Sequence, residues 1–172
     1  MEYSRAKHIC DEIVRYLSPV CERIEIAGSV RRRVRTVNDL EIVCIPKCDD
    51  RAVDMFGMAP PARHPDFIRR VEKLGTPIRG KAEGRWRSIQ GKEITLDLFM
   101  CNADNWGYIY ALRTGSKRFS HEVLARGWVA RGYKGIDGNL VKISTGQIIQ
   151  TPEEQDLFRL IGIQYVSPER RC

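Results

Sequence analysis

Apolar residues along this chain recur first at helical spacing and then in alternation. Ala6, Ile9, Cys10, Ile13, Val14 and Leu17 share one face of a helix predicted over residues 4–17, with Ser4 as its N-cap. Residues 23–29, RIEIAGS, alternate as a strand ending in a Gly-Ser turn. After Arg31, Arg32, Arg33 and Arg35, residues 39–45, DLEIVCI, form a second strand. Prolines and aspartates over 46–65 predict a loop with one helical turn at 53–58. A short helix over 66–74 turns Phe67, Ile68, Val71 and Leu74 inward, and a hairpin with a basic loop leads to a third strand at 93–100. Beyond Asn102 the pattern breaks into short helices at 106–112 and 119–127 around a turn at Gly115, then small strands over 132–149. A last helix runs to about residue 161, capped by Thr151, with Pro152 in its first turn and Glu154 at the capping-box position. These elements predict an α+β fold in two parts. Residues 1–103 carry a small mixed sheet with helices on one side, and residues 104–172 form a smaller α+β subdomain.

Composition narrows the class. At 172 residues, 42% hydrophobic and 30% charged, the chain is globular in balance and too short for a large multidomain enzyme. No apolar run approaches the roughly 20 residues that a bilayer span needs, and the charged start, MEYSRAKHICDE, is unlike a signal peptide. A soluble, intracellular protein with no membrane partner is expected. Lys and Arg number 29 against 22 Asp and Glu, a net charge of +7 that favours a polyanionic partner without identifying it. Cys10, Cys21, Cys44, Cys48, Cys101 and Cys172 lack the spacing of a disulfide scaffold and read as thiols of a reducing compartment. Cys44 and Cys48 have no second close pair, so zinc is not expected.

The chemistry lies in three carboxylates and a glycine turn. Strand alternation puts Asp39 and Glu41 on one face while Leu40 and Ile42 enter the core. Asp97 stands in the apolar strand EITLDLFM, an expensive place for an unpaired charge. If the two strands are neighbours, the three carboxylates converge, and three oxygen ligands on a rigid sheet suit one or two Mg²⁺ ions. A D-x-E pair alone reads first as a solvated strand face paired with arginines. Just upstream, however, Gly28 allows close backbone approach, Ser29 offers a hydroxyl and an amide, and the arginines offer forked cations for phosphate oxygens. Together they describe a triphosphate–Mg²⁺ site. The segment 79–92 gathers Arg79, Lys81, Arg85, Arg87 and Lys92 around Trp86, and reads either as a nucleic-acid contact or as a solvated hairpin with a half-buried tryptophan. Trp106, Tyr108 and Tyr110 are predicted to be core of the second part, and His8, His64 and His121 are given no role.

The motifs AGSVRRRVRTVNDLEIV, TLDLF, RTGS and TPEEQDLFRLIGIQYVSPERR, in this order and over nearly all of the chain, resemble the family X DNA polymerases, the group of DNA polymerase beta. The likeness is to the minimal form seen in small viral members, without the N-terminal lyase and helix-hairpin-helix domains of longer relatives. It implies a nucleotidyltransferase palm over residues 1–103 and a nucleotide-closing subdomain, called thumb or fingers, over 104–172. It implies that Asp39, Glu41 and Asp97 are the catalytic ligands of two Mg²⁺ ions, with Mn²⁺ as an alternative. Gly28, Ser29 and Arg32 would meet the triphosphate, and Leu112, Arg113, Thr114 and Gly115 the nucleotide, with the Thr-Gly turn along its sugar. Arg85, Trp86, Arg87 and Lys117 become the candidate DNA contacts. The implied activity is a DNA-directed DNA polymerase of the repair or gap-filling type. It would add nucleotides from nucleoside triphosphates to a primer 3′-hydroxyl in primed or gapped DNA, releasing pyrophosphate, as a monomer in cytoplasm or nucleoid or associated with a virus. Because such a core does not specify its acceptor, two readings stay open: an untemplated nucleotidyltransferase acting on a nucleic-acid end or small acceptor, and a catalytically inactive nucleic-acid-binding protein. The chain also departs from its relatives. Glu41 replaces the usual second aspartate, Thr95 stands where several relatives have arginine, and Leu112-Arg113 replaces a bulky aromatic pair, which implies weak discrimination against ribonucleotides.

Overall fold

The computed structural model describes residues 1–49 and 62–171, so the helical turn expected at 53–58 and Cys172 lie outside the described residues. Helix α1, Tyr3–Leu17, buries Ala6, Cys10 and Leu17 along one stripe. Its cap is not Ser4, which lies inside the helix. The N-cap is Glu2, in extended conformation and without a side-chain bond. Residues 35–37 supply what a cap would: Tyr3 N–H donates to the Arg35 carbonyl, and the terminal ammonium and carbonyl of Met1 pair with Val37.

Five strands form one mixed sheet in the order β1-β2-β5-β4-β3: β1 Cys21–Ile26, β2 Leu40–Pro46, β3 Thr76–Gly80, β4 Trp86–Gln90 and β5 Thr95–Met100. The expected hairpin is thus a three-stranded meander, with β3 as an exposed edge. Only the central pair, β2 and β5, runs parallel, and its register sets Glu41 beside Asp97.

Both faces of the sheet are covered, where the sequence suggested helices on one side. On one face Leu40, Ile42, Cys44, Leu96, Leu98 and Ile89 pack with α1 and with α3, Pro65–Glu72. On the other, Val43, Ile45 and Phe99 pack against Trp106 and Tyr110 of α4, Trp106–Thr114. Alternation explains the split, because odd-numbered residues of β2 and β5 face α4 and even-numbered ones face α1. The aromatic residues of α4 therefore divide: Tyr108 enters a separate core with Phe119, Leu124, Trp128, Leu140, Leu157 and Phe158, while Trp106 and Tyr110 serve the five-stranded sheet.

That second core is closed by a π-helical segment, Phe119–Ala125, by α5, Arg126–Val129, by a three-stranded antiparallel sheet and by α6, Glu154–Leu160. The strands are β6 Tyr133–Ile136, β7 Asn139–Lys142 and β8 Ile148–Ile149. The cap of α6 also differs from expectation. Thr151 is buried and uses its backbone to tie Asp104 and Gly107, whereas Glu153 and Asp156 form the reciprocal box. Two carboxylates at 153 and 154 compete for the cap, and Glu154 is drawn elsewhere. Cys10, Cys21, Cys44, Cys48 and Cys101 are free thiols, and burial pushes Cys10 and Cys101 up to about 12. Among the described residues no helix is long and apolar enough to cross a membrane.

Candidate active site

Gly28 opens a single helical turn, α2 Gly28–Arg31, directly after β1, where the sequence suggested a plain turn. Its φ is +59°, and a Cβ there would stand 2.0 Å from Glu41 Oε2. Only glycine lets the Glu41 carboxylate lie against this backbone. The β1 end is tied to the same residue, since Ala27 N–H donates to the Glu41 carbonyl at 2.8 Å. Beside it the Ser29 hydroxyl is buried and has no hydrogen-bond partner among the described residues.

Glu41 and Asp97 face α4 from neighbouring strands, and Ser88 of β4 continues the row as the partner of Asp97. Asp97 Oδ1 is out of contact with solvent and accepts no hydrogen bond from the described residues. Burial pushes the Glu41 carboxyl up to about 7, helped by Asp39 and Asp97 and opposed by Arg113 and Arg32. The expected convergence of three carboxylates is only partly met. Among the described residues no group of three His, Cys, Asp or Glu stands close enough to hold an ion. Asp39 is exposed and precedes β2, so alternation does not fix its direction, and the longer arm of Glu41 is folded over Gly28. The donor set is nonetheless all oxygen, and an orphaned carboxylate oxygen at Asp97 beside a carboxyl held above its ordinary value is a site short of positive charge. Those residues fit a hard divalent cation.

A cavity of about 540 Å³ opens between this row and the second core, lined by Arg32, Glu41, Leu112, Arg113, Gly115 and Lys117. Ser120 and His121 line it too; no pattern in the sequence singled them out. The Arg113 guanidinium lies 4.1 Å from the centre of the Phe99 ring. Arg32 donates to the Thr114 carbonyl, and a Cβ on Gly115, whose φ is +70°, would meet that guanidinium. The Thr114 side chain does not face the cavity. Fully buried, its hydroxyl donates to the Tyr110 carbonyl at 2.7 Å and accepts from Arg31 at 2.6 Å, so only the backbone of the turn is available to a ligand.

Behind the turn lies an ionic knot that sequence reasoning missed. Glu154, 4% exposed, accepts two bonds from Arg31 at 2.8 and 2.6 Å, one from Arg171 at 2.9 Å and one from the Tyr165 hydroxyl at 3.2 Å. Arg31 also stacks 3.7 Å from the Tyr110 ring, and Arg171 lies within 5.6 Å of Phe119, Phe158 and Tyr165. The arginine run is therefore divided: Arg31 serves the knot, Arg32 the turn, and Arg33 an exposed pair with Glu169. The one signal was the end of the last motif, SPERR, whose final arginine is Arg171.

The basic hairpin divides as well. Arg85 is exposed and pairs with Asp137 at 3.0 Å, Trp86 packs half-buried on the cluster of Phe99 and Trp106, and Arg87 is buried. Alternation along β4 turns Arg87 to the face opposite Asp97, so of these three candidate DNA contacts Arg85 is exposed, Trp86 partly so, and Arg87 is withdrawn from solvent.

A family model of the DNA polymerase beta thumb matches residues 110–172. The whole chain superposes on Leishmania infantum polymerase beta with a TM-score of 0.73. In its ternary P/T complex the identity is 17%, with 100% of this chain and 76% of that one covered; in its ternary gap complex it is 16%, with 99% and 70%. The chain has the polymerase beta fold. No curated protein matches the sequence. In polymerase beta terms, the likeness of fold holds across the chain and the α+β architecture is as expected; the Thr114–Gly115 turn, most of the second core and the Glu154, Tyr165 and Arg171 side of the knot fall in the thumb match, whereas Arg31 and Tyr108 lie before it.

Proposed function

We propose that this protein is a DNA-directed DNA polymerase of the repair or gap-filling type, acting on primed or gapped DNA and nucleoside triphosphates. The observation that carries the reading is the pairing of Glu41 with the orphaned Asp97, next to an unpartnered Ser29 hydroxyl, inside a polymerase beta fold. The similar Leishmania structures are ternary P/T and gap complexes, which supports DNA as the partner here.

In this reading Asp39, Glu41 and Asp97 hold Mg²⁺, or Mn²⁺ in its place, with Asp39 and Glu41 turning inward from their present positions. Bound there, the metal supplies Lewis acidity toward a 3′-hydroxyl and neutralises the triphosphate. Ser29 donates its hydroxyl to a phosphate oxygen, and Gly28 keeps the backbone close enough for that contact. Arg32 and Lys117 balance the triphosphate charge across the cavity, while the Gly115 backbone bounds the sugar. The primer 3′-oxygen attacks the α-phosphorus and pyrophosphate leaves, so the protein chiefly positions reactants and offsets charge. Leu112 lines the cavity without a ring, which favours acceptance of ribonucleotides.

Primer extension with and without template, offering each deoxynucleoside triphosphate singly, tests the reading. The expected result is template-matched addition that falls by on the order of 10³ in Asp97→Asn, about 4 kcal/mol in the transition state, with folding unchanged. Addition without template selects the untemplated transferase. DNA binding without any addition selects the inactive binder.

A further inference from the structure

Arg113 sits half-buried on the last turn of α4 and lines the open cavity beside Glu41. Its Nε is buried and unbonded, and among the described residues no ion pair or hydrogen bond reaches its guanidinium. What holds it is a ring and a field. The Phe99 ring, two residues beyond Asp97 on the same strand face, lies 4.1 Å beneath it. The register partner of Phe99 is Val43, two residues beyond Glu41, so the guanidinium is held over the strand pair that carries both carboxylates, and it lines one cavity with Glu41. Burial holds Arg113 below its ordinary value, against the opposing pull of Glu41, Tyr108 and Asp97. A cation without a hydrogen bond among the described residues and the carboxylate pair thus balance one another at a distance, with Arg32 as a second cation acting on Glu41.

We propose that the Arg113 guanidinium is the resident counter-cation of the Glu41–Asp97 pair and that an entering divalent cation displaces it. Loading of the metal is thereby coupled to movement of the end of α4. The proposal rests on the reading of that pair as metal ligands. Like charges repel across a partly desolvated site, so Arg113 and a divalent ion are alternatives for the same field. No hydrogen bond has to break for Arg113 to leave. Thr114 and Gly115 follow it directly, and Arg32 donates to the Thr114 carbonyl, so the displacement is passed to the turn that bounds the nucleotide.

Mn²⁺ titration of the full chain by electron paramagnetic resonance, without DNA or nucleotide, provides the test. Arg113→Met keeps length and apolar packing on Phe99 while removing the charge, and should bind Mn²⁺ tighter by on the order of tenfold. Arg15→Met, an exposed charge loss on α1, should leave affinity unchanged, which separates a local effect from net charge. In the unmodified chain the Arg113 Nε–Hε resonance, assigned by its absence in Arg113→Lys, should shift on addition of Mg²⁺; this readout does not depend on the fold of Arg113→Met. An affinity in Arg113→Met equal to or weaker than wild type, or a resonance that stays in place at saturating Mg²⁺, overturns the displacement. The two readings fail separately. Binding that is lost in Asp97→Asn but unmoved in Arg113→Met overturns only the role of Arg113. The absence of Asp97-dependent binding in wild type and Arg113→Met alike overturns both.

Discussion

On the knot, Arg31, Arg171 and Tyr165 all donate to the single carboxylate of Glu154, and little of that charge meets water. On the sheet, Asp97 keeps an oxygen out of solvent with no donor at all, and Glu41 lies against a glycine. Both regions draw carboxylates at least partly out of water within one small chain, and burial raises the cost of ionising Glu154 and Glu41 alike. They differ in what meets the charge. A carboxylate answered by two guanidinium groups is part of the architecture, because removing it strands cations. A carboxylate oxygen without a hydrogen-bond donor is held in place by the rest of the sheet, and in the proposed reading an entering cation answers it.

The largest effect should therefore come from breaking the answered charge. Glu154→Gln is nearly isosteric, so it leaves no cavity, but it leaves Arg31 and Arg171 buried without a counter-ion. A loss of about 3–5 kcal/mol is expected, read as a fall in thermal midpoint of roughly 10 °C. Asp97→Asn, measured in chelator, should leave stability nearly unchanged, since the buried Oδ1 has no hydrogen bond among the described residues for the substitution to break. Equal losses in both variants would erase the distinction between the two regions.

What was legible in the sequence follows the same division. Gly28-Ser29 and Asp97 stand out because each breaks a local rule: a glycine closing a strand, and a charge inside an apolar one. The β2–β5 neighbourhood was only a condition in the sequence, and strand pairing meets it by setting Glu41 beside Asp97. The knot was illegible because Arg31, Arg32 and Arg33 are chemically alike in sequence, and their fates are set by Glu154, Thr114 and Glu169, more than 80 residues away. Glu154 itself looked like a capping residue, because two adjacent carboxylates fit that role and only tertiary contact chooses between them. Arg87 was misplaced for a different reason. Alternation gives the period of a strand but not its phase, and its phase depends on pairing with β5.

A middle-sized effect separates the two carboxylates by the sign of their pH dependence. Burial pushes Glu154 up, but hydrogen bonds and charge from Arg31 and Arg171 outweigh it and hold the group below its ordinary value of 4.5. Its contribution to stability is present above that value and is lost as pH falls. Glu41 runs the other way. Pushed up to about 7 by burial and by Asp39, it contributes below pH 4.5 and loses that contribution as pH rises through 7. In metal-free protein, wild type should lose stability relative to Glu41→Gln between pH 4.5 and 7, by no more than about 3 kcal/mol. The difference between wild type and Glu154→Gln should instead close below pH 4.5. Denaturant midpoints at four pH values decide it, and a flat wild-type-to-Glu41→Gln difference would show that Glu41 is as readily ionised folded as unfolded.

The smallest effect sharpens the contrast within one hairpin, where Arg85 and Arg87 stand two residues apart. Binding of primed DNA, if carried by phosphate contacts, should weaken linearly in log affinity against log salt, with a slope set by the phosphates met. Arg85 is exposed, and its pair with Asp137 is of the surface kind that contributes little; it can exchange that partner for a phosphate. Arg87 is buried on the face away from Asp97 and reaches no strand of DNA without unfolding β4. Arg85→Met should therefore reduce the salt slope by about 1 with stability unchanged, whereas Arg87→Met should leave the slope alone. Fluorescence anisotropy on a labelled primed duplex across several salt concentrations reads both. A slope lowered by Arg87→Met in a chain that melts like wild type would mean that β4 presents its other face to DNA, and the assignment of the two faces would have to be reversed.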